Sequence, residues 1–188
     1  MEELDQKALA EVRRGNHRRY GEIVDRHKDR AMTLAVRMLH ERREAEEAVQ
    51  DAFLKAYRNL DQFRGDAAFG TWFYKILYNV CLSRLRRSAA PTVDIDEAGG
   101  EAVADPDPAV DELVGQTDIR EILAEELGRL PAHFRTALTL FYVQEMRYEE
   151  IAAIMDVPLG SVKTYLFRGK QHLRKSLAQR LRAEVRAV

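Results

Sequence analysis

A single cysteine, Cys81, leaves the 188 residues with no way to close an internal disulfide. There is no CxxC pair, and His17, His27, His40, His133 and His172 are scattered rather than set at ligand spacing, which argues against a structural zinc site. No uncharged apolar run is long enough to cross a bilayer, and the N-terminus, Met-Glu-Glu-Leu-Asp-Gln-Lys, is acidic where a secretory signal would be basic and then apolar. These absences predict a cytoplasmic protein with no membrane segment of its own. Runs of alternating or β-branched residues bounded by turn signals are missing as well, so the predicted fold class is all-α. What is present is ordinary for a folded chain: 46% hydrophobic residues and 32% charged residues of both signs. The length allows one domain or two small ones.

Net charge is also nearly absent, at −1, which at first disfavours nucleic acid as a partner. Divided along the chain, the charge is far from even. Residues 1–90 carry 18 basic and 14 acidic side chains, residues 91–130 carry 2 and 12, and residues 131–188 carry 10 and 5. Two basic blocks are masked by an acidic middle, an asymmetry that keeps nucleic acid in play.

Apolar residues recur at three- and four-residue steps through most of the chain. Tyr20, Ile23, Val24, His27, Ala31, Leu34, Ala35 and Met38 form one stripe along a long helix, with His27 read as a core histidine. Ala45, Ala48, Val49, Ala52, Phe53, Ala56, Tyr57 and Leu60 form another over residues 44–60. On the opposite face Glu47, Gln50, Asp51 and Leu54 share one side, leaving a leucine among acceptors. Periodicity alone leaves two readings open: a solvated face with a stray leucine, or an acidic protein-docking patch anchored by Leu54.

The helix predicted over Phe69–Arg87 is apolar on nearly every side, through the stripes Phe69, Phe73, Ile76, Val80 and Tyr74, Tyr78, Cys81, Leu85. A narrow ridge of Trp72, Lys75, Asn79, Ser83 and Arg86 remains. That ridge is either the wet edge of a buried helix or a surface for single-stranded nucleic acid, which needs aromatic faces, amides and cations together. Residues 88–107 hold Pro91, Pro106, Gly99, Gly100, six acidic residues and no basic ones, and read as a flexible linker. Helix signals resume at Pro108 and run to Leu130-Pro131. The expected organisation is two small helical domains, 1–87 and 108–188, joined by the linker 88–107.

From Tyr148 the chain reads YEEIAAIMDVPLGSVKTYLFRGKQHLRK, with the spacing of a helix-turn-helix. Ile151, Met155, Val157, Val162 and Tyr165 take the apolar positions, and Ala152 is the small residue at the helix crossing. Asp156 stands at the turn, where a left-handed backbone is needed and Asp tolerates it. Ser161 sits at the start of the second helix, where a hydroxyl or a phosphate can meet free amides. Val162, Leu166 and Leu173 point inward, leaving Lys163, Thr164, Phe167, Arg168, Lys170 and Gln171 outward. Arg or Lys suits guanine in the major groove and Thr suits a thymine methyl.

These residues resemble the extracytoplasmic-function sigma factors, the minimal two-domain members of the bacterial primary sigma factor family. EAEEAVQDAFLKAYRNLDQFRGDAAFGTWFYKILYNVCLSRLRR, residues 44–87, is similar to the family's region 2, and LPAHFRTALTLFYVQEMRYEEIAAIMDVPLGSVKTYLFRGKQHL, residues 130–173, to its region 4. The resemblance implies a promoter-specificity subunit without enzymatic activity or cofactor, whose partners are core RNA polymerase, promoter DNA and an anti-sigma factor. It implies that Glu47, Gln50, Asp51 and Leu54 dock on the coiled coil of the largest polymerase subunit. Lys55, Asn59, Phe63, Arg64 and Asn79 match positions around a captured base of the minus 10 element, and Trp72 and Lys75 lie on the strand-opening ridge. Ser161, Lys163, Thr164, Arg168 and Lys170 fall at positions that meet the minus 35 duplex. The acidic linker is implied to thread the polymerase's RNA-accepting channel. This chain departs from the family at Thr164-Tyr165 and at Gly169-Lys170, so no relative's minus 35 preference transfers to it.

Three other classes compete. A helix-turn-helix regulator that does not bind core polymerase is the runner-up, and a helical adaptor is the third choice. A recombinase fails because no alternating strand and helix domain and no acid, base and nucleophile set stands out.

Overall fold

The computed structural model describes residues 2–88 and 116–187, and every regular element among them is helical. Residues 89–107 of the predicted linker and the predicted helix start at Pro108 lie outside the described residues.

The first helix, α1 (Glu2–Arg13), begins with Glu2, Glu3 and Asp5, where negative charge suits the helix N-terminus. It buries Ala8, Leu9 and Val12 against α2 (Arg19–Leu39). Of the stripe expected on α2, Ile23, His27, Ala31, Leu34, Ala35 and Met38 are buried, with Tyr20 and Val24 half-buried. The helix stops at His40, which takes a left-handed conformation at φ 63° and donates its N–H to the Val36 carbonyl. Directly after, the Glu41 carboxylate accepts from the backbone N–H groups of Arg43 (2.9 Å) and Glu44 (2.6 Å) and starts α3 (Arg42–Arg58). A 3₁₀ turn at Leu60–Gln62 and a left-handed Gly65 lead to α4 (Phe69–Ser88).

The second half holds α5 (Gln116–Arg129), α6 (Ala132–Leu138), α7 (Tyr148–Met155) and α8 (Leu159–Ala187). Beyond α6 the chain widens into a π-helical stretch, Thr139–Val143. Asp156, between α7 and α8, is left-handed at φ 59° and ψ 46°, as the helix-turn-helix spacing predicts. The α8 helix starts at Leu159, so Ser161 lies in its first turn.

A helix apolar on two sides needs two partners. One side of α4 packs on α2 and α3, and α7 of the second half lies against it as well. The buried apolar residues form one continuous cluster from Ala8 to Leu166, crossing between the halves. The linker's length allows the domains to stand apart; in this structure they are closed on one another.

Asp5 is the charged group most deeply set in the first half, at 2% exposure. One carboxylate oxygen accepts from Arg26 Nε at 2.8 Å, and the other lies 2.8 Å from His27 Nε2. Desolvation raises the Asp5 carboxyl, but the hydrogen bonds with His27 and Arg26 outweigh it, and the net shift is downward. A carboxyl lowered by folding contributes its full stabilisation above the usual carboxylate range and loses it as acid protonates it. Asp5→Asn is therefore expected to cost about 2 kcal/mol at neutral pH. Urea midpoints of the variant and the parent should converge as pH falls below that range, and a constant gap would contradict the assignment.

The absence of a side chain at Gly169 has a packing consequence. A Cβ there would stand 2.9 Å from Leu138 Cδ1 and 3.3 Å from Phe134 Cβ, where α8 crosses α6, whereas at Gly160 it would meet nothing within 4 Å. Helix propensity favours Ala over Gly by about 1 kcal/mol at either site, and overpacking costs about 1–3 kcal/mol at the first only. Gly169→Ala should therefore lower the thermal midpoint and Gly160→Ala raise it. Equal signs would mean that α6 yields to the added methyl.

Candidate nucleic-acid interface and acidic docking face

On α3, burial of Ala45, Ala48, Val49, Ala52, Phe53 and Ala56 forces Glu47, Gln50, Asp51 and Leu54 outward, and all four are exposed. Leu54 is 54% exposed, one of the most exposed large apolar side chains among the described residues. The carboxylates beside it are not loose. Arg84 of α4 reaches Asp51 Oδ2 at 2.6 Å and Glu47 Oε2 at 3.2 Å. Its guanidinium is shifted upward, chiefly by the hydrogen bond to Asp51. The spacing within residues 69–87 gives no sign of this bridge; the outward acids on α3 are the signal for it.

Around the end of α3, Lys55 and Arg64 are exposed, and the Asn59 amide donates to the Lys55 carbonyl (2.8 Å) and accepts from Gln62 (3.1 Å). Arg13 of α1 pins the turn by donating to the carbonyls of Leu60 and Phe63. Phe63 differs from the expected base-contacting side chain. It is buried, at 6% exposure, with its ring 5.2 Å from Trp72 and 5.8 Å from Phe69. The apolar turn residue is drawn into the core edge, where it backs Trp72 instead of presenting a free face.

Trp72, Lys75 and Asn79 follow one another at helical steps on α4, Trp72 and Lys75 half-buried and Asn79 exposed. Lys75 Nζ forms an ion pair of 2.9 Å with Asp156, the turn residue of the helix-turn-helix, and this contact holds the Asp156 carboxyl below its ordinary range.

On α8, Lys163 and Arg168 are exposed, while Ser161, Thr164 and Lys170 are half-buried. Thr164 and Arg168 stand one turn apart, and Lys163 and Lys170 stand two turns apart on the adjoining arc. The Thr164 hydroxyl donates back to the Gly160 carbonyl at 3.0 Å, which fixes its rotamer. Val162 and Leu166 are buried beneath this arc, so the basic side faces away from the core. Glu150 accepts from the Arg147 N–H at 2.9 Å and closes the first turn of α7.

Among the described residues no group of three or more His, Cys, Asp or Glu side chains could hold a metal ion, and no helix is long and apolar enough to cross a membrane.

An acidic face with an exposed leucine, a mixed aromatic and cationic ridge, and a basic arc thus occupy separate places on one all-α chain. Residues 23–90 match the Sigma-70 region 2 family and residues 120–173 match Sigma-70, region 4. The chain is 35% identical to the ECF RNA polymerase sigma factor SigW of Bacillus subtilis, across 94% of this chain and 98% of that one. It is 34% identical to the RNA polymerase sigma-H factor of Pseudomonas aeruginosa, across 96% and 97%. Among solved structures, CnrH in complex with the cytosolic domain of CnrY shares the fold, with a TM-score of 0.69 at 23% identity over 94% of this chain and 98% of that one. The sigma factor RpoE in complex with the anti-sigma factor NepR from Bartonella quintana matches at 0.64 and 25% identity, over 85% and 96%. With both conserved sigma regions in order and relatives matched over nearly their whole length, this chain belongs to the extracytoplasmic-function sigma factors.

Proposed function

We propose that this sigma factor docks on core RNA polymerase through Glu47, Gln50, Asp51 and Leu54, opens the minus 10 element with residues 1–87, and reads the minus 35 duplex with residues 108–188. The observation that carries this reading is Leu54, exposed between carboxylates that Arg84 holds in place. A cationic coiled coil with an apolar groove is the complementary surface, and the apolar contact supplies an anchor. Lys55, Asn59, Arg64, Trp72, Lys75 and Asn79 contact the minus 10 strand, with Phe63 supporting Trp72 from beneath. Ser161 and Lys170 hold phosphates, and Lys163, Thr164 and Arg168 address base edges.

The chain supplies specificity and strand separation and leaves catalysis to the polymerase. It acts in the cytoplasm, held in check by an anti-sigma factor, as RpoE of Bartonella quintana is bound by NepR. The acidic residues 92–107 thread the RNA-accepting channel. Run-off transcription with core enzyme on a promoter library tests the reading. Initiation from a subset of promoters, lost on Lys163→Ala with Arg168→Ala, is the expected result, and failure to initiate from any promoter overturns it.

A further inference from the structure

A cleft of about 280 Å³ lies among α1, α2, α4 and the segment that leads into α7. Sites for drug-sized molecules run to about 300–1,000 Å³, so an occupant here must be small. Three of the side chains that line the cleft, His27, Tyr74 and Gln144, are only 2–3% exposed. Each carries a polar atom with no hydrogen-bond partner: His27 Nδ1, Tyr74 Oη and Gln144 Oε1. Among the described residues six buried side-chain atoms are left in this way, and half of them belong to residues lining this one cleft. Buried polar groups are almost always paired, so such a concentration points to a ligand.

Neighbouring bonds fix what each atom can do. His27 Nε2 donates to the Asp5 carboxylate at 2.8 Å, so in the neutral ring Nδ1 carries the lone pair. Gln144 Nε2 donates to the Arg30 carbonyl at 2.8 Å, which leaves Oε1 as the unused end of the amide. Arg30 Nη2 returns a bond to the Gln144 carbonyl at 2.5 Å. The wider π turn sets Gln144 in place, with its N–H bonded to the Thr139 carbonyl at 3.1 Å. Burial pushes the Tyr74 phenol up, so it keeps its proton, and its oxygen still has a lone pair to offer. All three atoms can accept.

The charge around them has one dominant sign. Glu2, Asp5, Glu145 and Glu150 line the cleft against a single guanidinium, that of Arg30. Glu2 and Glu145 are exposed, while Glu150 accepts from Thr71 Oγ1 at 3.3 Å and from the Arg147 N–H at 2.9 Å. Among the described residues no three acids, histidines or cysteines are grouped so as to hold a metal ion. Acceptors within and carboxylates at the edge therefore suit an organic cation rich in N–H donors.

We propose that the cleft binds a linear aliphatic diamine or polyamine. One primary ammonium offers its three N–H donors to His27 Nδ1, Tyr74 Oη and Gln144 Oε1, and the second lies toward Glu2 and Glu145 at the exposed edge. None of these residues is among those that meet polymerase or promoter, so the site is separate from both.

Calorimetric titration of the full chain with 1,4-diaminobutane tests the site. One equivalent should bind with a Kd below about 1 mM. The uncharged 1,4-butanediol, of the same length, should bind at least about 30-fold more weakly. Tyr74→Phe removes a hydroxyl that has no partner, and Gln144→Leu removes the acceptor oxygen; both keep every charge. Each should weaken the diamine by about tenfold, and the rise in thermal midpoint that the diamine gives the parent should shrink with it. Circular dichroism establishes that each variant is folded, and either one alone decides the matter. Three results overturn the proposal. A diol bound as tightly as the diamine makes the ligand neutral, an unchanged affinity in the folded variants leaves only loose counter-ions on acidic surface, and no binding at about 10 mM leaves only water.

Discussion

Leu54→Asp is expected to weaken binding to core RNA polymerase by about 100-fold while leaving the chain's own stability within about 0.5 kcal/mol of the parent. Half of the Leu54 side chain already meets water, so the fold loses little when it changes. At a docking surface the same side chain is the apolar centre, and central anchors of this kind are worth about 2 kcal/mol or more. The aspartate also sets a third carboxylate near Glu47 and Asp51, and Arg84, already divided between those two, has no further fork to offer. Leu54→Ala removes the anchor without the added charge and should cost about tenfold. Titration of dye-labelled protein with core enzyme measures both. Affinities within twofold of the parent would return Leu54 to the alternative reading, a stray leucine on a solvated face.

That face was legible because two neighbouring helical faces differ so sharply: a strip of alanines one residue wide on one side, acids and a leucine on the other. The same arithmetic exposes the stripe of α2 and the helix-turn-helix, including the left-handed Asp156. What it misses has physical causes. Asp5 is acidic near a chain end, where composition suggests solvent, and only the approach of Arg26 and His27 from another helix makes its burial tolerable. The π-helical stretch at Thr139–Val143 contains the same residue types as the α-helix before it, and its one extra residue per turn leaves no mark on composition. Phe63 belongs to a turn between helices, where no period says which side is covered. On α4, Lys75 reads as part of a wet edge because nothing within residues 69–88 announces that a second domain comes to rest there.

Arg135 is the other residue whose burial the sequence does not announce, and its replacement should carry the largest cost to stability. At 5% exposure its guanidinium donates to the carbonyls of Gly128 (2.8 Å), Leu130 (2.9 Å) and Met38 (3.2 Å), with no carboxylate beside it. Burial lowers its pKa, yet a guanidinium keeps its proton at any physiological pH. Met38 lies in the last turn of α2, where unpaired carbonyls give the helix end a partial negative charge, so the cation there substitutes for a salt-bridge partner. Arg135→Met leaves three carbonyls to find water or go without, at about 1–3 kcal/mol for each that stays dry. An overall loss of about 3 kcal/mol corresponds to a fall of roughly 6–12 °C in the thermal midpoint for a chain of this size. Arg135→Lys keeps the charge but lacks the planar fork, and should recover about one of the three bonds. By contrast Arg129→Met, which removes an exposed partner of Glu126, should cost less than about 1 kcal/mol because Arg180 still reaches that carboxylate. Two of the three Arg135 bonds lie within the second half, so most of the loss should persist when Arg30→Ala and Gln144→Ala, which break the reciprocal bonds of those two residues between the halves, are also present. If instead the cost of Arg135→Met disappears in that background, the bond to Met38 carries the stability and Arg135 is chiefly a fastening between the halves.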